Sequence, residues 1–282
     1  MNVGVVGSGE MVDALAHLAR AAGSTVSVSP SAVPFADPVD LVLFALPPDQ
    51  VRAAVRAFAP GPDVRLVVAT RGLEPESGKR LSEVVLEESA CLRVGALAGP
   101  ILPSEVRRGS PCAAVVASAF TEVTRLGSAA LHSSACRIYT SDDLPGVELA
   151  GALVEVLAMA LGTARGLALG VAAQALIVTR GVAEGARLAV KGKGDPRTFA
   201  GLAGVGDLVT CAGLTDHPAH ARGLALARGE KDPAAAALCA ALLRREPDLP
   251  ITEGVAALAA GRARAQEVIA ALMQREHREE RD

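Results

Sequence analysis

Gly7, Ser8 and Gly9, with Glu10, Met11 and Val12 after them, follow directly on the short apolar run of residues 2–6. In such a strand, turn and helix, the first glycine permits a tight turn. The second lets the pyrophosphate of a dinucleotide approach the backbone where the helix begins. The third position of this fingerprint takes Gly or Ala, so Val12 is expected to push the helix away from the strand. A tight turn without a ligand could use the same glycines, and it is the strand-turn-helix context that favours the cofactor reading. An acid at the end of the second strand would hold ribose hydroxyls, and an Arg would hold a 2′-phosphate. Ser29 and Pro30 offer neither, so NAD and NADP are not distinguished.

His217 and His220, beside Asp216, invite a metal site or a proton donor. The proline between the histidines and their spacing of three oppose a helical ligand pair, and no further His or Cys cluster completes a site. An exposed polar loop and no metal are therefore expected. The five cysteines (Cys91, Cys112, Cys136, Cys211 and Cys239) lack C-x-x-C spacing and read as small buried residues in a reducing cytosol.

The elements that must position these groups follow from hydrophobic patterning. Short apolar runs at residues 2–6, 25–29, 41–46, 65–69, 94–97 and 113–117 alternate with helical stretches, including one with Leu15, Leu18, Ala19 and Ala22 on one face. Continuously apolar strands between helices indicate a parallel sheet covered on both sides. Eleven residues (29–39), three of them proline, link the second strand to the third, too few and too broken for a crossover helix. After Asp142 the strand pattern stops. The expectation is an α/β Rossmann-type parallel-sheet domain over residues 1–140 and an all-helical domain over residues 141–282. The most apolar region, 147–179, contains Glu148, Glu155 and Arg165, and its longest uncharged piece, 166–179, is too short for a bilayer, so the region reads as a buried core helix. Of 282 residues half are hydrophobic but only 2% are aromatic, so the core is built from Ala, Val and Leu. A net charge of −3 gives no footprint for nucleic acid or an anionic membrane. The chain start lacks the features of a signal peptide, and a cytoplasmic protein without membrane insertion is expected.

Several segments together resemble the NAD(P)-dependent glycerol-3-phosphate dehydrogenase family. They are Val67-Val68-Ala69-Thr70-Arg71-Gly72-Leu73-Glu74-Pro75, Ala98-Gly99-Pro100 with Glu105-Val106, residues 146–153, Thr179-Arg180-Gly181, residues 198–208 with Thr210-Cys211, Leu249-Pro250-Ile251-Thr252-Glu253, and Leu272-Met273-Gln274-Arg275-Glu276. They occur in the family's order over most of the chain. The resemblance implies a Rossmann-type domain, a helical substrate domain, NAD or NADP as cofactor, and interconversion of dihydroxyacetone phosphate and sn-glycerol 3-phosphate. It implies Pro47 with the Gly7–Met11 turn on the cofactor, Gly99 and Pro100 on the substrate, and Asp207 and Thr210 beside the catalytic lysine. A small phosphorylated substrate would be the partner, and an Ala/Leu-rich helical domain is compatible with a homodimer.

Residue by residue, this chain departs from the family where the chemistry is done. Hydride transfer creates an alkoxide, which requires a cationic proton donor. The family's central lysine and the asparagine after it fall on Val154 and Glu155. Valine has no proton to give, and a carboxylate repels a phosphate dianion. The second lysine becomes Arg71, whose pKa is too high for easy proton donation. Ala172 or a neighbour stands for an asparagine and Gln174 for a lysine, the Ser-Arg-Asn-Arg-like phosphate clamp is replaced by residues 216–223, and the stretch between Gly229 and Pro250 is shortened. Arg222 is the remaining candidate for a phosphate contact, while Asp207 could cap a helix, Thr210 could bond to backbone, and Glu148 and Arg180 could form a buried ion pair. Two readings besides the family reaction follow. One is a non-catalytic paralogue acting as a binding or regulatory protein, and the other is an oxidoreductase on a changed substrate.

Overall fold

The computed structural model describes residues 1–213 and 217–274. Strands β1 (Asn2–Gly7), β2 (Thr25–Ser29), β3 (Leu41–Ala45), β4 (Arg65–Val68), β5 (Arg93–Ala98), β6 (Cys112–Ala117) and β7 (Cys136–Ser141) form one sheet in the order β2-β1-β3-β4-β5-β6-β7. Helices α1 (Glu10–Ala21), α2 (Val51–Phe58), α3 (Leu81–Glu88), α4 (Pro103–Arg107) and α5 (Thr121–Leu131) lie between strands. Successive strand residues point to opposite faces. Val3, Val5, Leu41 and Leu43 therefore pack in one core with residues of α1 and α5, while Val6, Val42 and Phe44 pack in a second core with residues of α2 and α3. Burial on both faces is why these strands read as unbroken apolar runs.

No helix joins β2 to β3. The Ser29 hydroxyl donates to the Val33 carbonyl (2.8 Å) and accepts from the Val33 N–H (2.9 Å), turning the chain back at once. Phe35 then fills the space a helix would cover. It sits over Gly4 and meets Phe58 edge-on at 5.7 Å between ring centres.

Two features depart from the expected parallel sheet. β6 runs antiparallel to β5, with Ala96 opposite Ala117 and Ala98 opposite Val115. Residues 99–111 contain only the five-residue α4, and the chain turns back there instead of crossing over. The seventh strand, β7, was absent from the hydrophobic pattern because it is an edge strand whose Arg137 and Tyr139 face outward between Cys136 and Ile138. The helix α1 also differs from expectation. Val12 is only 2% exposed and packs in the first core beside Val3 and Leu15, so its side chain is accommodated rather than excluded.

The rest of the described residues are mainly helical: α6 (Leu144–Gly166), α7 (Val171–Lys191), α8 (Asp207–Gly213), α9 (Pro218–Ala227), α10 (Pro233–Arg245), α11 (Pro250–Ala259) and α12 (Ala265–Met273). Asp143 caps α6, accepting the Gly146 N–H at 2.9 Å. By length and composition α6 could cross a bilayer, but 83% of its most apolar window is buried, and it forms the axis of the helical half. α9 crosses it backbone against backbone. A Cβ on Gly162 would lie 2.1 Å from the His220 carbonyl oxygen, and one on Gly223 2.1 Å from that of Met159. Of the apolar region 147–179, the part on α6 is the expected buried core helix, but α6 ends at Gly166 and α7 begins with Val171 80% exposed.

Candidate functional site

Strand order reverses between β1 and β3, since the chain leaves β1 to β2 on one side and returns to β3 on the other. Ligands of open α/β sheets bind in the crevice beyond the carboxyl ends of the strands at such a point. Gly7 (φ +128°) and Gly9 (φ +94°) occupy it with backbone angles that disfavour other residues. At Gly7 a Cβ would also lie 2.2 Å from the Ala45 carbonyl oxygen, whereas at Gly9 it would meet open space. Ser8, Gly9 and Glu10 are exposed and Met11 is half-buried at the start of α1, whose first N–H groups receive no side-chain cap. Pro47 is exposed two residues beyond Ala45, the partner of Gly7 across the sheet. Behind it the Thr70 hydroxyl ties the loops after β3 and β4 together by donating to the Leu46 carbonyl at 2.8 Å. Glu10 is turned sideways into an exposed pair with Arg107 on α4 (3.0 Å), a contact with no local signal in the sequence.

A second cluster lies where β4 and β5 meet the helical half. From the loop after β4, Arg71 donates through Nε and Nη2 to the two oxygens of Asp207, at 2.6 and 2.7 Å. Nη2 also approaches the Gly99 carbonyl at 3.3 Å, and Nη1 stands 3.9 Å from Glu155 Oε1 on α6. Asp207 is fully buried at the start of α8, reached through the helical turn Leu202–Gly206. Burial pushes its carboxyl up to about 6 against the opposing pull of Arg71, while Asp207 and Glu155 hold the Arg71 guanidinium above its ordinary range. Asp207 is thus a partner for Arg71, and among the described residues no backbone N–H donates to its carboxylate. Thr210 bonds to backbone, its hydroxyl donating to the Asp207 carbonyl at 2.6 Å. The Cys211 thiol approaches the same carbonyl at 3.4 Å and is pushed up to about 12 by burial.

Val154 is wholly enclosed in the helical core. One residue on, Glu155 faces Arg71 (3.9 Å), and a Cβ on Gly151, one turn earlier, would make ordinary contact with the Arg71 stem at 3.7 Å. Pro100 is half-buried next to Gly99. The fold therefore gathers Arg71, Gly99, Glu155 and Asp207 into one place. Arg222 is engaged elsewhere, gripping both oxygens of Asp232 at 2.6 and 3.0 Å while Asp232 caps α10. The two hold each other ionised, Arg222 above and Asp232 below its usual range.

Three expectations are corrected. His217 and His220 are not on an exposed loop but 5% and 1% exposed. Pro218 between them takes the first position of α9, where a missing N–H costs nothing, and so starts a helix that packs on α6. Asp216 lies outside the described residues, as do Arg275 and Glu276. Glu148 does not pair with Arg180, which is exposed; it accepts from Ser82 N (2.8 Å) and Arg80 Nη1 (3.5 Å) at the start of α3. Nor are all cysteines buried, since Cys112 is half-buried.

Comparison with known proteins bears on both clusters. Two family models match, one described as NAD-dependent glycerol-3-phosphate dehydrogenase N-terminus over residues 23–124 and one as the C-terminus over residues 143–270. A glycerol-3-phosphate dehydrogenase [NAD(P)+] of Sinorhizobium fredii is 36% identical over 253 residues, covering 84% of this chain and 75% of that protein. That of Aromatoleum aromaticum is 42% identical over 194 residues, covering 68% and 59% respectively. The crystal structure of glycerol-3-phosphate dehydrogenase from Coxiella burnetii superposes with a TM-score of 0.87 at 26% identity, covering 97% of this chain and 99% of that one.

Proposed function

The chain belongs to the NAD(P)-dependent glycerol-3-phosphate dehydrogenase family, and from that premise we propose that it keeps the family's dinucleotide site but does not carry out the family's reaction at an ordinary enzymatic rate. Gly7, Ser8, Gly9, Glu10, Met11 and Pro47 would line the dinucleotide. The crevice fits one, because its glycines are held at positive φ and open space lies over Gly9. When bound, the nicotinamide supplies the hydride. What this chain must add is a proton for the developing alkoxide and donors for the substrate phosphate.

One observation carries the reading, the two-pronged pair of Arg71 with Asp207 beside an enclosed Val154. Three of the guanidinium N–H groups are already engaged, two by Asp207 and one by the Gly99 carbonyl, and an arginine held above its ordinary pKa releases no proton near neutrality. Arg71, Asp207 and Glu155 together carry one net negative charge where the family substrate would bring a phosphate dianion. Arg222, the remaining phosphate candidate, is neutralised by Asp232. The reading is therefore of a dinucleotide-binding paralogue.

The test follows NADH and NADPH absorbance with dihydroxyacetone phosphate, in parallel with thermal-shift titration of both cofactors. A rise in Tm with one of the two cofactors is expected. Turnover should lie about 10²–10⁴-fold below that of a family enzyme, the usual effect of a missing general acid. Turnover near about 10 s⁻¹, ordinary for an enzyme, would overturn the proposal. Absence of any shift would remove its dinucleotide half.

A further inference from the structure

Cysteines 24 residues apart in sequence meet in the sheet. Cys112 opens β6, Cys136 opens β7, and the register of these parallel strands makes them direct partners. Paired positions on neighbouring strands share a face, and strands lie about 4.7–4.9 Å apart. That is within the window of about 4.4–6.8 Å between Cα atoms that a disulfide requires. Both side chains pack against the same apolar cluster. The neighbouring Cys136 thiol holds Cys112 below its usual range, against burial and the nearby Glu105, while Cys112 together with burial pushes Cys136 up.

The remaining cysteines differ in kind. Cys91, Cys211 and Cys239 are each 0% exposed, and burial raises each thiol, the last two to about 12. Cys112 is half-buried and lines an open depression of about 490 Å³ with Pro111, His132, Ser133, Ser134 and Arg137. A thiol that is accessible and next to a second thiol has the attributes of a reactive dithiol.

We propose that Cys112 and Cys136 form a reversible thiol–disulfide couple that reacts with small-molecule disulfides entering through this depression, with Cys112 attacking and Cys136 resolving. The Cys112 thiolate attacks one sulfur of the small disulfide; that S–S bond breaks, and the departing thiolate takes up the proton Cys112 gave to solvent. Cys136, losing its own proton, then attacks the Cys112 sulfur of the mixed disulfide and expels the second small thiol, which is protonated in turn. Two protein thiols are oxidised by two electrons, and one small disulfide is reduced to two thiols. The couple stands independently of the dinucleotide proposal, because neither cysteine belongs to the glycine turn or the Arg71 cluster.

The test incubates the folded full-length chain with glutathione and glutathione disulfide at graded ratios, alkylates the free thiols and maps the product by mass spectrometry. The wild type should lose two thiols and yield a peptide pair joined through Cys112 and Cys136, reversed by dithiothreitol. Cys136→Ser should stop at one glutathione adduct on Cys112, and Cys112→Ser should gain none while retaining four free thiols. A wild type that keeps five free thiols at every ratio would overturn the proposal. So would an adduct on Cys136 in Cys112→Ser equal to that on Cys112 in Cys136→Ser.

Discussion

The crevice beyond β1 and β3 and the cluster around Arg71 both lie at the carboxyl ends of the parallel strands, but they are made of different material. In the crevice the main chain does the work: two glycines at positive φ and the uncapped start of α1 face open space, and none of Ser8, Gly9, Met11 or Pro47 must be of a particular charge. In the cluster every function rests on side chains, and Arg71 has closed on Asp207 just as Arg222, outside the cluster, has closed on Asp232. A site built from backbone survives drift in its side chains as long as its glycines stay. A site built from a lysine and its neighbours is lost with that lysine, and its remaining charges must then find partners, because a buried unpaired charge is strongly destabilising.

The largest effect should come from rebuilding the second region to resemble the family. The triple variant Arg71→Lys, Val154→Lys, Glu155→Asn restores two amines and removes one negative charge beside Asp207. Its rate with dihydroxyacetone phosphate should exceed that of the wild type by about 10²-fold or more. No gain in a folded variant would show that the replaced phosphate clamp matters as well. Breaking the same region instead should be costly to stability. Arg71→Ala leaves Asp207 buried without its counter-charge, and urea unfolding should show a loss of about 3–5 kcal/mol. A loss below about 1 kcal/mol would mean that the cluster is not the closed unit described.

Protonation tests this closure by another route. The Asp207 carboxyl sits at about 6 in the folded chain and near 3.8 when exposed, so the folded state binds the extra proton between those values. Stability from this group is fully present below about 3.8 and is lost as pH rises through about 6, a change of no more than about 3 kcal/mol. Glu148 and Glu184, also raised by burial, act with the same sign, whereas Glu83 and Asp232 act with the opposite one. Asp207→Asn should therefore flatten part of the fall between pH 4 and 6 measured by urea titration. An unchanged slope would assign it to the glutamates.

The first region was legible because its signals are local. Glycine spacing, an apolar strand and a helical period all lie within the first 21 residues, and the prolines at 30, 34 and 38 foretold the missing crossover helix. The second was legible only through the resemblance, which sets Val154 and Glu155 where a lysine and an asparagine are expected. The pairing of Arg71 with Asp207 spans 136 positions, and no local pattern encodes it. The same holds for Cys112 with Cys136, which depends on the register of two strands, one of them unrecognised. The direction of β6 was hidden too, since Cys-Ala-Ala-Val-Val-Ala would be equally apolar in either orientation. Burial of His220 follows from glycines on α6 and α9 that the sequence shows only as small residues.

A change confined to the first region should leave the second untouched. Gly9→Val adds a branched Cβ where space is open but φ is +94°, so the expected cost is backbone strain alone, about 1–3 kcal/mol. The same variant should lose the cofactor-induced rise in Tm, because the backbone can no longer approach a pyrophosphate. Asp207→Asn should keep that rise. If both variants abolish it, the two regions are one cooperative site and the contrast between them fails.

The smallest effect is expected at Arg222, and it decides whether the second region retains any hold on phosphate. Arg222→Ala removes a partly exposed partner of Asp232, but Asp232 keeps its bond from the Ala235 N–H and so continues to cap α10. The loss in unfolding free energy should be about 0.5–1 kcal/mol, the range for an ion pair that is not fully buried. Because the guanidinium is bidentate to Asp232, inorganic phosphate or glycerol 3-phosphate should stabilise wild type and variant equally, by little or nothing, in a thermal-shift titration. A phosphate-dependent rise in Tm present in the wild type and absent in Arg222→Ala would show that Arg222 leaves Asp232 for the ligand. The second region would then be a substrate site missing its proton donor, and not one closed by its own charges.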